Sequence, residues 1–139
     1  MRIVDTNVFA YLLLAGDRTT AARRLFSLDP DWHSESFALI EFSNVLATAV
    51  RTERLSQDQA NVTMGNVMRL LANRLHAVPH SDALAVSLKY SVSAYDARFL
   101  ALALSVDQRL VTEDRKLRDA APMLTQSIED ALQSSERQV

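Results

Sequence analysis

The sequence contains no cysteine, which excludes disulfides, thiolate metal sites and thiol nucleophiles together. Glycine occurs only at Gly16 and Gly65. That leaves no material for a phosphate-cradling loop, a dinucleotide fingerprint or a Gly-x-Ser-x-Gly elbow. Proline occurs three times, so chain-breaking residues are few and much of the chain is expected to be helix. Histidine is scarce, at three residues. His76 and His80 have the spacing of helical metal ligands, but Pro79 between them breaks such a helix. No apolar run approaches the roughly 20 residues that span a bilayer, and Asp5 comes too early for a secretory leader. These features suit a cytoplasmic protein with no membrane association.

What is present fits one globular domain over residues 1–139, with 48% hydrophobic and 23% charged residues around one core. No repeat or linker interrupts it. The apolar pattern predicts short strands over 2–4, 32–34, 75–78, 109–112 and 123–126. Helices are expected over 8–14 (closed by Gly16), from Thr19 or Thr20 to 28, over 37–54, and from a Ser56 cap through Leu71. Further helices follow caps at Ser81 and Ser93, a short one follows Asp114, and the last runs over 127–134. Strands alternating with helices imply an α/β fold with a parallel sheet and helices on both faces. Trp32, Phe37, Met64 and Met68 read as core or subunit-contact residues rather than a base-stacking platform.

In open parallel sheets, ligands bind beyond the carboxyl ends of the strands. Asp5 directly follows the first strand and Asp114 follows the 109–112 strand by two residues. Each alone is also a good helix cap. Asp96 opens a helix that is apolar almost all round, where a carboxylate needs a compensating partner or the helix dipole. Glu41 falls on the border of the apolar face formed by Ala38, Phe42, Val45 and Ala49, with Asn44 beside it. The case lies in the four together. The net charge of −2 looks wrong for a nucleic-acid partner, yet setting four carboxylates aside leaves the rest of the chain at +2. Divalent cations in such a pocket would attract phosphate.

At these residues the sequence resembles the PIN-domain nucleases, and within them the VapC-like toxins of bacterial toxin–antitoxin pairs. The matching segments are Val4-Asp5-Thr6-Asn7, Glu41-Phe42-Ser43-Asn44-Val45-Leu46, Tyr95-Asp96-Ala97-Arg98-Phe99-Leu100-Ala101-Leu102-Ala103 and Leu110-Val111-Thr112-Glu113-Asp114-Arg115-Lys116-Leu117. They stand in the family's order and spacing. The resemblance implies a three-layer α/β/α sandwich with a short, mostly parallel central sheet. It implies that Asp5, Glu41, Asp96 and Asp114 form the acidic catalytic pocket, supported by Thr6, Asn7, Asn44 and Thr112. It further implies an RNA substrate, a cognate antitoxin and a homodimer. The segment Leu104-Ser105-Val106-Asp107-Gln108-Arg109 departs from the pattern, lacking the glycine often found there.

Phosphodiester hydrolysis needs an activated water and stabilisation of added negative charge, both of which Mg²⁺ or Mn²⁺ can supply. Hard cations take oxygen ligands. Asp5 and Asp96 are the expected direct ligands; Asp114, also counted with the metal, and Glu41 would orient the attacking water. Arg98, Arg115 and Lys116, beside motif acids, are the expected substrate cations, with Arg18 and Arg23 as further candidates. Two other functions fit less of the sequence. A non-catalytic PIN-like RNA- or protein-binding module would not need all four acids. An aspartyl-phosphate phosphatase of the haloacid dehalogenase type wants a second Asp where this chain has Asn7.

Overall fold

The computed structural model describes residues 1–137, so the last two positions of the expected 1–139 domain lie outside the described residues. In chain order the elements are β1 (Arg2–Val4), α1 (Thr6–Leu13), α2 (Thr19–Leu28), β2 (Trp32–Glu35), α3 (Phe37–Arg51), α4 (Gln57–Leu70), β3 (Leu75–His76), α5 (His80–Tyr90), α6 (Ala94–Ser105), β4 (Leu110–Val111), α7 (Arg115–Ala120), β5 (Thr125–Gln126) and α8 (Ile128–Arg137). The strands form one sheet in the order β3-β2-β1-β4-β5. Every pairing is parallel, with Ile3 facing both His33 and Leu110.

This order contains a switch point. From β1 the chain steps outward to β2 and β3, then returns across the sheet to β4 and leaves the other way to β5. Right-handed crossovers then place α1 to α4 on one face and α5 to α7 on the other. Packing agrees: α6 lies against β1, β2 and β4, whereas α8 packs on α2. β1 and β4 are neighbours whose connections diverge, so a crevice opens beyond their carboxyl ends.

The two neighbouring strands β1 and β4 are hydrophobic on both sides, as buried parallel strands are. Ile3, Val4, Leu110 and Val111 are fully buried. On one face Phe9 and Phe42 meet edge to face at 5.4 Å, joining α1 to α3. On the other, Phe99, Leu100, Leu102 and Ala103 of α6 are buried against the strands. Each of the buried valine, leucine, isoleucine and phenylalanine side chains contributes about 1.5–3 kcal/mol of burial. Among the described residues, no helix is long and apolar enough to cross a membrane.

Helix ends depart from the sequence reading in instructive ways. α1 begins at Thr6, because Asp5 caps it by accepting the Val8 N–H. Gly16 does not close it in a left-handed turn: no glycine has positive φ among the described residues. Gly16 instead donates its N–H to Thr19 Oγ1 at 3.0 Å. Thr19 thus ties the turn to the C-terminal end of α1, its hydroxyl 2.7 Å from the Tyr11 carbonyl oxygen, and does not cap α2; Arg18 occupies the cap position of α2 without a side-chain bond. α5 starts after Pro79, not from a Ser81 cap, since proline's fixed φ suits a helix start. α3 ends at Arg51, and Glu53 (φ 60°) turns the chain. The expected caps Ser56 and Ser93 are in place. Where a glycine is missing before β4, Asp107 takes the left-handed conformation at φ 53°, which Asp tolerates better than most residues.

Candidate active site

Asp5 leaves the end of β1 buried, with both carboxylate oxygens engaged. Oδ1 accepts the Val8 N–H at 3.2 Å, and Oδ2 accepts the Thr112 hydroxyl. Thr112 follows β4, and its Oγ1 also accepts the Asp114 N–H at 3.1 Å. One hydroxyl therefore links the acids at the ends of the two switch-point strands. Asp114 caps α7 by accepting the Leu117 N–H at 3.2 Å.

The other two acids come from opposite faces. Glu41, on α3, accepts the Thr6 hydroxyl at 2.7 Å. Asp96 sits in the first turn of α6, its N–H donated to the capping Ser93 at 3.0 Å. All four acids line one cleft of about 190 Å³, together with Thr6, Asn7, Asn44, Val45, Phe99 and Leu117. Residues more than a hundred positions apart in sequence, such as Asp5 and Asp114, are brought together.

Burial, and after it mutual repulsion, raises the pKa values of Asp5, Glu41 and Asp96. Burial pushes Asp5 up from 3.8 to about 7, against the pull of its Thr112 and Val8 hydrogen bonds, with Glu41 and Asp96 adding repulsion. Burial also raises Glu41, with repulsion from Asp96 and Glu35 and partial relief from Thr6. Asp96 is raised by burial and then by Asp114. Such a site gains from a cation. Among the described residues no three acids or histidines form a ready-made ligand set. Mg²⁺ and Mn²⁺ do not require one, because Mg²⁺ takes one or two carboxylates and keeps several waters. An all-oxygen cleft with uncompensated acids fits such an ion.

The PIN-domain family model matches residues 2–122, nearly the whole of the switch-point architecture. Ribonuclease VapC3 of Pyrobaculum aerophilum is 30% identical over 125 residues, covering 88% of this chain and 95% of its own length. The chain belongs to the PIN-domain family. A second relative, ribonuclease VapC1 of Mycobacterium tuberculosis, is 33% identical over 84 residues, 60% of this chain and 62% of its own. The crystal structure of PAE2754 from Pyrobaculum aerophilum shares the fold at a TM-score of 0.78 and 19% identity, covering 98% of this chain and 95% of that one. That of FitAcB from Neisseria gonorrhoeae does so at 0.64 and 18%, covering 91% and 96%.

Not every expected residue reaches the cleft of this PIN domain. Arg98 does not: its Nε donates to Glu35 Oε2 at 3.1 Å, its Nη2 to the Val78 carbonyl at 3.0 Å, and its Nη1 lies 3.2 Å from His80 Nδ1. It is the counter-ion of a buried carboxylate, so its assignment as a substrate cation is corrected. Arg115 and Lys116 are exposed on α7 and do not line the cleft. Arg23 is exposed on α2, whereas Arg18 lines a groove that adjoins the cleft.

Glu35 was not among the expected residues. It is 1% exposed at the end of β2 and also accepts the Phe37 N–H at 3.0 Å. Its signal in sequence is positional: like Asp5 and Asp114, it is an acid where a parallel strand gives way to a helix.

Proposed function

We propose that this PIN domain is a metal-dependent endoribonuclease that hydrolyses RNA phosphodiesters, and that it is the toxin of a toxin–antitoxin pair. The observation that carries this reading is the convergence of Asp5, Glu41, Asp96 and Asp114 in one cleft, three of them with raised pKa values. The relatives named as ribonucleases support the substrate class.

Asp5, Asp96 and Asp114 would hold Mg²⁺ or Mn²⁺. When bound, the cation neutralises charge developing at the attacked phosphorus and favours ionisation of water. Thr112 and the Val8 N–H keep Asp5 turned inward. Thr6 fixes Glu41, whose pKa burial raises above the usual glutamate value, making it a stronger base toward the attacking water than a solvated glutamate. Asp114 would help orient that water, while Asn7 and Asn44 line the cleft and can contact the substrate. The proposal includes a cytoplasmic setting, a homodimer and a cognate antitoxin that silences the enzyme.

Asp5→Asn and Asp96→Asn each remove a charge while keeping shape. Both should lower RNA cleavage by at least about 100-fold with unchanged circular dichroism, and EDTA should abolish wild-type cleavage until Mg²⁺ or Mn²⁺ is restored. Wild-type rates in both variants, or cleavage that ignores EDTA, would overturn the reading. Growth arrest on expression, relieved by the product of an adjacent gene, tests the toxin role.

A further inference from the structure

The acid cleft does not end at its own walls. Asn7 and Val45 line both it and a second groove of about 520 Å³, which runs along the end of α1 past Tyr11 to Gly16, Asp17 and Arg18. Such a volume is that of a small-ligand site. Among the described residues lining these two cavities, Arg18 is the sole lysine or arginine.

Arg18 is held rather than loose. Its Nη1 donates to the Tyr11 hydroxyl at 3.1 Å, and its Cζ lies 5.4 Å from the Tyr11 ring centroid. Both contacts are to a neutral group. Among the described residues Arg18 makes no salt bridge, although Asp17 is its neighbour. Of the five guanidinium N–H donors, one is committed to Tyr11. Arg98 is the opposite case, its donors spent on Glu35 and Val78.

We infer that Arg18, oriented by Tyr11, is the phosphate-binding subsite for the nucleotide next to the scissile one in a single-stranded RNA. The strand would lie from the acid cleft across Asn7 and Val45 onto Arg18. This rests on the ribonuclease reading above. The physical need is plain: a polyanion approaching a cleft lined by four carboxylates requires a fixed positive charge at its edge. A guanidinium fork meets phosphate oxygens two at a time, and its open face can stack a base.

The test measures binding of a fluorescent single-stranded RNA by anisotropy in EDTA, and kcat and KM for the same RNA with Mn²⁺. Arg18→Gln, Arg18→Lys and Tyr11→Phe are compared with Arg69→Gln, an exposed arginine on α4. One lost phosphate contact on a single strand lowers the salt slope by about 0.7, or affinity about fivefold at about 0.1 M salt. Arg18→Gln should show that loss as a raised KM with little change in kcat. Arg18→Lys should keep the salt slope, Tyr11→Phe should fall between, and Arg69→Gln should match wild type.

If Arg18→Gln binds RNA as Arg69→Gln does, the subsite is wrong, even if cleavage proves the nuclease reading right. If the wild type never cleaves but its RNA binding depends on Arg18, the nuclease reading fails, and with it the placement beside a scissile nucleotide, while Arg18 stands as an RNA phosphate contact. Failure of the wild type both to bind RNA in EDTA and to cleave it with Mn²⁺ overturns both. A loss of affinity for a protein partner only, with RNA binding intact, also overturns the subsite. Equal melting temperatures of the variants secure the comparison.

Discussion

Thr112 carries two tasks on one oxygen, donating to Asp5 and accepting the Asp114 N–H. Because it is fully buried, no solvent can replace it. Thr112→Val keeps the shape and removes the hydroxyl. The change leaves a buried carboxylate oxygen short of a donor and should cost about 1–3 kcal/mol of stability. Partners that orient ligands typically matter 10- to 100-fold, so kcat should fall within that range. The lost hydrogen bond also raises Asp5 further, moving the acidic limb of the pH–rate profile upward, and Thr112→Ser should restore both. An unmoved limb would show that the hydroxyl does not tune Asp5. Asp5 and Asp114 were legible because capping and strand-end position are local properties, whereas Glu41, inside α3, had only its place at the border of an apolar face. The bridge from Thr112 to Asp5 spans 107 positions, and nothing local announces it; the residue came to notice only through its family resemblance.

At the scale of elements, the ion pair between Glu35 and Arg98 joins the end of β2 to the first turns of α6, two residues past Asp96. Glu35 is 1% exposed and Arg98 17%. The pair also reaches the Val78 carbonyl and the N-terminal turn of α3 through Phe37. Removing one partner of a buried pair strands the other charge, typically at 3–5 kcal/mol. Glu35→Gln and Arg98→Met should therefore each lower the unfolding free energy, measured by denaturant titration, by an amount near the bottom of that range, since Arg98 retains some solvent. The double variant should recover part of the loss. Purely additive losses in the double variant would show that the two side chains do not act as a pair. Here sequence reading fell short for a physical reason. Arg98 looked like a substrate cation because it neighbours a motif acid, but a helix turns about 100° per residue. Two positions on, the side chain points to the buried sheet edge, toward a partner 63 residues away. The helix caps divide the same way. Ser56 and Ser93 bond within their own first turns and were legible. The start of α5 was not, because Pro79 sets it through backbone geometry and leaves Ser81 inside the helix.

For the whole molecule, the alternation of strands and helices was readable, while the strand order was not, since no local pattern says that β4 returns to pair with β1. That return is what concentrates the acids, and it ties global stability to their ionisation. In the unfolded chain Asp5 loses its proton near 3.8; in the fold it keeps it to about 7. Between those limits the folded state binds the extra proton, so stability falls as pH rises through the window and the loss is complete above it. The pKa difference corresponds to about 4 kcal/mol for Asp5, and Glu41 and Asp96, raised likewise, add to it in the same direction. For a chain of this length that is a drop in Tm of about 10 °C between pH 4 and pH 7 in EDTA. A divalent cation competes with those protons and binds only the folded arrangement. Added Mn²⁺ should thus raise Tm strongly at pH 7.5 and weakly at pH 5. Asp5→Asn has no charge to bury, so its metal-free form should melt higher than wild type at neutral pH, with a flatter pH dependence and less gain from metal. A metal-free Tm that rises from pH 4 to pH 7, or an Asp5→Asn variant that melts lower than wild type at neutral pH, would mean that the cleft acids are not held against their own ionisation.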